Sequence, residues 1–159
     1  MNTKAKGDIG EQQACEYLEK KGYKVLHRNL KLTSCEIDIV AEAYFDDFGN
    51  LIRQKQSAFD KLRALFSKEN KQKKPRQKGE RTLVFVEVKT RENEDHGAPE
   101  EAVDGYKKGR YVTAAKSYIA KYGEQNTPIR FDVITVEDEK INHIENAFTA
   151  NEAKYYRNR

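Results

Sequence analysis

Glu87 and Lys89 stand two residues apart in Leu83-Val84-Phe85-Val86-Glu87-Val88-Lys89, a run apolar enough to form a buried β-strand. Side chains along a strand alternate between faces, so this spacing aims a carboxylate and an ammonium at one spot. Burying an unpaired ion costs on the order of several kcal/mol, so the pair must meet opposite charge, a metal ion or open water. The tripeptide Glu-x-Lys is uninformative by itself, because it recurs at Glu19-Lys21, Glu69-Lys71 and Glu152-Lys154 in a chain that is 35% charged. Only the apolar strand around Glu87 and Lys89 sets them apart.

Asp38 is their natural companion. Glu36-Ile37-Asp38-Ile39-Val40-Ala41 reads as another strand, whose period of two places Ile37, Ile39 and Ala41 on one face and Glu36, Asp38 and Val40 on the other. If the two strands are sheet neighbours, Asp38 and Glu87 converge within reach of one hard cation. Two carboxylates, a main-chain carbonyl and waters make an oxygen shell suited to Mg²⁺ (or Mn²⁺). Such an ion lowers the pKa of a bound water and neutralises a phosphoryl oxygen during in-line attack. Lys89 would orient the water or stabilise the pentacoordinate charge. The same residues also read as a Glu87-Lys89-Asp38 ion-pair network tying two strands together, and residue types alone leave both readings open.

Several elements must position these groups. Apolar spacing predicts a first helix over about 8–21, with Ile9, Ala14, Tyr17 and Leu18 inward and Gly22 past its end. Strands are expected at 23–29, 36–41, 82–90, 129–136 and 141–144, with a turn at Asp47-Phe48-Gly49-Asn50. In the third strand, Val84, Val86 and Val88 oppose Leu83, Phe85, Glu87 and Lys89. A second major helix over about 100–122 carries a stripe of Val103, Tyr111, Ala114, Ala115, Tyr118, Ile119 and Tyr122, with Gly105 and Gly109 weakening its first turns. Ser57 opens a short amphipathic helix with Phe59, Leu62, Leu65 and Phe66. The order α-β-β-insert-β-α-β-β implies a mixed sheet with helices packed on it, an α/β or α+β fold.

Length and composition narrow the class. At 159 residues a single domain is expected, interrupted by an insert at about 44–81. The net charge is only +4, yet residues 68–81 hold seven Lys or Arg against Glu69 and Glu80, a local +5 that leaves the remainder near neutral. A basic segment on a neutral domain suits a phosphate backbone, and equally a solvated loop. Lys73, Lys74 and Arg76 are its candidate nucleic-acid contacts. No run of apolar residues approaches a membrane span, and Cys15 and Cys35 lack metal-site spacing, so reduced thiols in a cytoplasmic protein are expected. His27, His96 and His143 show no ligand spacing and receive no role. Arg130 and Asp132 are expected to pair structurally.

Four segments occur together in one order: Gly7-x-x-Gly10-Glu11 opening a helix, Glu36-Ile37-Asp38-Ile39-Val40, Val84-Phe85-Val86-Glu87-Val88-Lys89-Thr90-Arg91, and Arg130-Phe131-Asp132-Val133-Ile134. With Gly97-Ala98-Pro99-Glu100-Glu101-Ala102-Val103, Lys107 and Asn146-Ala147-Phe148, the set resembles the YraN-like family of small bacterial proteins, grouped with restriction-endonuclease-like nucleases. The resemblance covers nearly the whole chain outside 44–81. It implies a three-layer core with a central mixed sheet between helices. It makes Asp38, Glu87 and Lys89 the D…E-x-K residues and adds Glu11 as a fourth site residue and metal ligand. Two departures stand out: Cys35 replaces a usual glycine, and the basic insert fills a normally short connection. Arg91, Lys107 and Lys108 (with Arg110) are further candidate phosphate contacts. The function implied is Mg²⁺-dependent cleavage of DNA phosphodiester bonds, on branched or damaged DNA among other forms. The alternative is a non-catalytic nucleic-acid-binding or protein-interaction module, with self-association one outcome.

Overall fold

The computed structural model describes residues 3–32, 35–53, 79–91, 105–137 and 140–152. The helix expected over 57–66, the contacts expected from Lys73, Lys74 and Arg76, His96, residues 100–104 and the side chain of Arg91 lie outside the described residues.

The described chain runs α1 (Thr3–Lys21), β1 (Lys24–Lys31), β2 (Glu36–Phe45), β3 (Glu80–Arg91), α2 (Gly105–Tyr122), β4 (Ile129–Glu137) and β5 (Lys140–Phe148). The five strands form one sheet in the order β1-β2-β3-β4-β5. All neighbours are antiparallel except β3 and β4, which run parallel. A parallel pair needs a crossover, and α2 lies in that connection. This is a mixed-sheet α/β fold. None of its described helices is long and apolar enough to cross a membrane.

Each face of the sheet has its own core. On one, Ile37, Val40, Leu83, Phe85, Phe131 and Val133 pack against Tyr111, Val112, Ala114, Ala115 and Tyr118 of α2. On the other, Ile39, Ala41, Val84, Val86, Ile134 and Val136 pack against Ala14, Cys15 and Leu18 of α1. β3 is covered on both sides, which is why its sequence is a continuous apolar run. α1 ends where Gly22, at φ 112°, lets its N–H and that of Tyr23 reach the Leu18 carbonyl. The turn at 46–50 forms as expected: Asp46 accepts the N–H groups of Phe48 and Asn50, and Gly49 takes φ 79°.

Three expectations shift. α1 begins earlier, at Thr3, and β2 runs on to Phe45. Ile9 and Tyr122, assigned to buried stripes, are 44% and 40% exposed. The simple alternation of β2 also fails, because Ile37 joins the α2 core while Ile39 and Ala41 join the α1 core. The break falls at Asp38. There the β2–β3 ladder has stopped at Ile39↔Val86, and Asn29 in β1, between the Arg28↔Ile39 and Leu30↔Ile37 pairs, takes φ 48°.

On the α1 face, Asp132 anchors a buried polar network. Arg130 donates to both its oxygens at 2.8 Å, and His143 Nε2 lies 2.8 Å away. The Asn146 N–H donates from 2.9 Å. Arg130 also reaches the Tyr23 hydroxyl at 2.6 Å and Glu145 at 3.1 Å. The expected Arg130–Asp132 pair therefore exists, and His143, given no role from sequence, belongs to it. Burial raises the pKa of Asp132, but His143 and Arg130 outweigh it and hold the carboxyl below its ordinary value. Asp132→Ala removes the carboxylate shared by Arg130, His143 and the Asn146 N–H and leaves Arg130 with Glu145 and Tyr23, so urea unfolding should show a loss of about 3 kcal/mol. A loss under about 1 kcal/mol would contradict that account.

Candidate active site

The site forms on the α2 side, where β2 and β3 part. Once the ladder ends, the β3 backbone needs another acceptor, and the Asp38 carboxylate supplies it, taking the Val88 N–H at 2.7 Å. One residue away in β3, Glu87 points toward α2 and is 1% exposed. Its Oε1 accepts the Lys89 ammonium at 3.0 Å and also that of Lys107, from the first turns of α2. Its Oε2 is buried and takes no hydrogen bond from the described residues. Tyr111, one helical turn after Lys107, puts its hydroxyl 3.4 Å from the Asp38 N–H and 3.5 Å from the Val86 carbonyl.

Charge here is strained in one direction. Burial first, and then the negative charge of Glu87, push Asp38 up to about 7. The Val88 N–H and Lys107 pull the other way, and Glu11 adds to the rise. Burial also works against ionised Glu87, but the Lys107 hydrogen bond, Tyr111 and the charge of Lys89 more than offset it and hold Glu87 low. Lys107 is held above its ordinary value, since Glu87 and Asp38 outweigh its own desolvation. Tyr111 is raised well above the phenol range by burial and by both carboxylates.

Glu11 enters from α1. Gly10 is buried against Thr90, and a Cβ on it would collide with the threonine hydroxyl. That glycine lets α1 lie close over the end of β3, on the residue after Lys89. Glu11 Oε2 is buried and, like Glu87 Oε2, takes no hydrogen bond from the described residues.

The sequence-derived candidates thus divide. Asp38, Glu87 and Lys89 come together, and Glu11 lies within electrostatic range of Asp38. Lys107, expected as a phosphate contact, is inside the cluster. Lys108 is directed elsewhere, over the Phe148 ring at 5.7 Å, and Arg110 lies over Tyr106 at 5.9 Å. Arg81, counted in the basic run, is spent on Glu42 and Glu124 at 2.7 and 2.6 Å. Sequence reasoning assigned Tyr111 to the core alone, although its spacing of four from Lys107 puts both on one helix face. The open cleft of about 630 Å³ near the start of β3, lined by Phe45, Glu80, Thr82 and Arg130 among others, includes none of the site carboxylates.

The donor set suits a hard divalent cation: it offers carboxylate oxygens, two of them buried and unsatisfied. Among the described residues, no group of three or more His, Cys, Asp or Glu side chains is gathered as a metal cage. The fit is therefore to a two-carboxylate site, Asp38 and Glu87, completed by main chain and water, with Glu11 adding charge from nearby.

The model of uncharacterised protein family UPF0102 matches residues 10–136. This chain belongs to UPF0102. Similar curated proteins bear the same family name. One from Clostridioides difficile (strain 630) is 38% identical over 93% of this chain and 100% of its own. One from Caldanaerobacter subterraneus is 35% identical over 93% of this chain and 98% of its own. A third, from Bacteroides thetaiotaomicron, is 38% identical over 89% and 90%. Every site residue named above lies within the stretch that the UPF0102 model matches.

Asp38 gives the site a pH signature. Its folded pKa is raised, so the carboxyl costs nothing below its ordinary 3.8, where folded and unfolded chains both hold the proton, and its full penalty above about 7. Asp38→Asn keeps an acceptor for Val88 and turns an amide toward Glu87. In metal-free buffer this variant should match the parent's stability near about pH 4 and exceed it by about 2 kcal/mol near about pH 8. Chemical denaturation at both pH values measures the difference. A variant less stable at the higher pH would refute the assignment.

Proposed function

We propose that this chain is a metal-dependent nuclease of the restriction-endonuclease-like superfamily, hydrolysing phosphodiester bonds in DNA. The observation that carries the reading is the pairing of Asp38 with Glu87 and Lys89 at the point where β2 and β3 separate. A purely structural role would reward filling every hydrogen-bonding position, yet Glu87 Oε2 and Glu11 Oε2 are left without a hydrogen-bond partner among the described residues.

Asp38 and Glu87 would hold Mg²⁺ or Mn²⁺, with Glu11 adding negative charge nearby. When bound, the ion supplies Lewis-acid stabilisation of a phosphoryl oxygen and a more acidic water. Lys89, partly exposed beside Glu87, orients the attacking water and faces the negative charge that grows on phosphorus. Val88 fixes the Asp38 carboxylate in place, and Tyr111 caps the back of the site against solvent. Arg91 and the basic 68–81 segment, with Lys73, Lys74 and Arg76, would supply contacts to the phosphate backbone. The chain acts in the cytoplasm, where DNA and Mg²⁺ are both available.

A second reading draws on a specific contact. Lys107 and Lys89 already neutralise Glu87, so the cluster also suits a non-catalytic nucleic-acid-binding or protein-interaction module. The test is cleavage of end-labelled single-stranded, duplex and branched DNA by the purified chain with Mg²⁺ or Mn²⁺. Cleavage is expected, abolished by chelator and lowered about 10²-fold or more in Glu87→Gln and in Lys89→Met. No cleavage of any substrate, or full activity in Glu87→Gln, sinks the nuclease reading and leaves the second.

Binding separates from chemistry. Neutralising Lys73, Lys74 and Arg76 together should lower the salt dependence of DNA affinity, reducing the slope of log K against log salt by about 2 to 3. An unchanged slope, measured by fluorescence anisotropy across salt concentrations, would remove this segment from the interface.

A further inference from the structure

We propose that Lys107 is the site's resident cation: its ammonium occupies Glu87 in the metal-free protein and leaves when a divalent ion enters. The inference rests on the nuclease reading of the same carboxylates.

Three observations carry it. First, two ammonium groups share one oxygen, Glu87 Oε1, while Oε2 of the same carboxylate is unsatisfied. A divalent ion on Glu87 would then face two like charges at close range, and one of them must withdraw. Second, the two lysines differ in freedom. Lys89 is fixed to strand β3, whose backbone there still pairs with β4 at Lys89↔Thr135, whereas Lys107 rides on the first turn of α2 between Gly105 and Gly109. Glycines weaken a helix, so this turn yields more readily than the strand. The Lys107 side chain is also 36% exposed, which leaves it a path outward, against 1% for Glu87.

Third, the carboxylates that hold the Lys107 ammonium lie off its own helix, where its neighbour one turn on is the Tyr111 ring at 6.0 Å. Among the described residues the first turn of α2 holds no acidic side chain, and positive charge there opposes the helix dipole. The carboxylates among the described residues that hold Lys107 lie across the gap, on β3 and β2: Glu87 directly and Asp38 through its charge. The arrangement keeps a buried carboxylate from standing unpaired before metal arrives. It also makes metal binding release a mobile ammonium at the mouth of the site, where a phosphate oxygen is its next available partner. Lys107 is in this sense a positioning residue, coupling metal entry to substrate contact.

Mn²⁺ affinity, read by calorimetric titration of the full chain, tests this without reference to activity. Lys107→Gln keeps a hydrogen-bond donor for Glu87 and removes the charge. It should bind Mn²⁺ on the order of tenfold more tightly than the parent, while Lys107→Arg stays within about twofold of it. Equal or weaker binding by Lys107→Gln, with the parent binding Mn²⁺, overturns the inference and leaves the nuclease reading intact. No binding by either protein overturns both. The parent alone gives a second measure through the Lys107 ammonium resonance in ¹⁵N-lysine-labelled protein. That signal should be protected from exchange without metal and lost at saturating Mg²⁺; protection that persists overturns the proposal whatever the variant's stability.

Discussion

Glu87 is a carboxylate with 1% exposure in the middle strand of a five-stranded sheet, and much of the surrounding structure follows from what its charge requires. A lone ion there would be neutralised by a pKa shift or would unfold the sheet. Here it stays ionised because Lys89 reaches it along the same strand and Lys107 reaches it from α2. That second ammonium ties the α2 layer to the β3 strand by charge, in addition to the apolar contacts of Tyr111 and Ala115. Asp38 bears the consequence. Placed beside an ionised Glu87, with its burial only partly offset by the Val88 N–H and Lys107, it is driven up to about 7. The site therefore holds two carboxylates of unequal character, one fixed as an anion and one poised to take up or release a proton or to meet a cation.

Much of this was legible from residue types. The apolar run around Glu87 fixed β3 as a strand covered on both faces, and its alternation correctly separated Val84 and Val86 from Leu83 and Phe85. The adjacency of β2 and β3, posed as the condition for Asp38 to meet Glu87, is present in the ladder. Ile37 was misplaced for a physical reason. Period-two reasoning assumes an unbroken ladder, and β2 loses its partner at Asp38, where a side chain replaces the backbone as acceptor. The failure of the pattern thus marks the site. Lys107 was found only as a candidate phosphate contact and its pairing with Glu87 was not foreseen, since a flexible ammonium on four methylenes can reach a carboxylate on another element without any trace in local spacing. His143 was missed similarly: its partner Asp132 lies on the neighbouring strand, and a lone histidine gives no ligand pattern.

The two buried acidic centres of the sheet make the contrast that supports a chemical role for one of them. Asp132, on the α1 face, is saturated: guanidinium on both oxygens, imidazole on one, a backbone N–H on the other. Its partners come from β4 and β5, so the network joins adjacent strands and closes on itself. The site on the α2 face is assembled from β2, β3 and α2, and its Glu87 Oε2 takes no hydrogen bond among the described residues. If burying carboxylates served only to hold strands together, both faces would be expected to converge on the saturated solution, since an unsatisfied buried acceptor costs about 1–3 kcal/mol. The second face retains that cost at the place where the β-ladder opens and where two ammonium groups lie. On the nuclease reading, the unmet Glu87 oxygen is the acceptor for a hard cation, and the ammonium groups beside it are the partners for a phosphate.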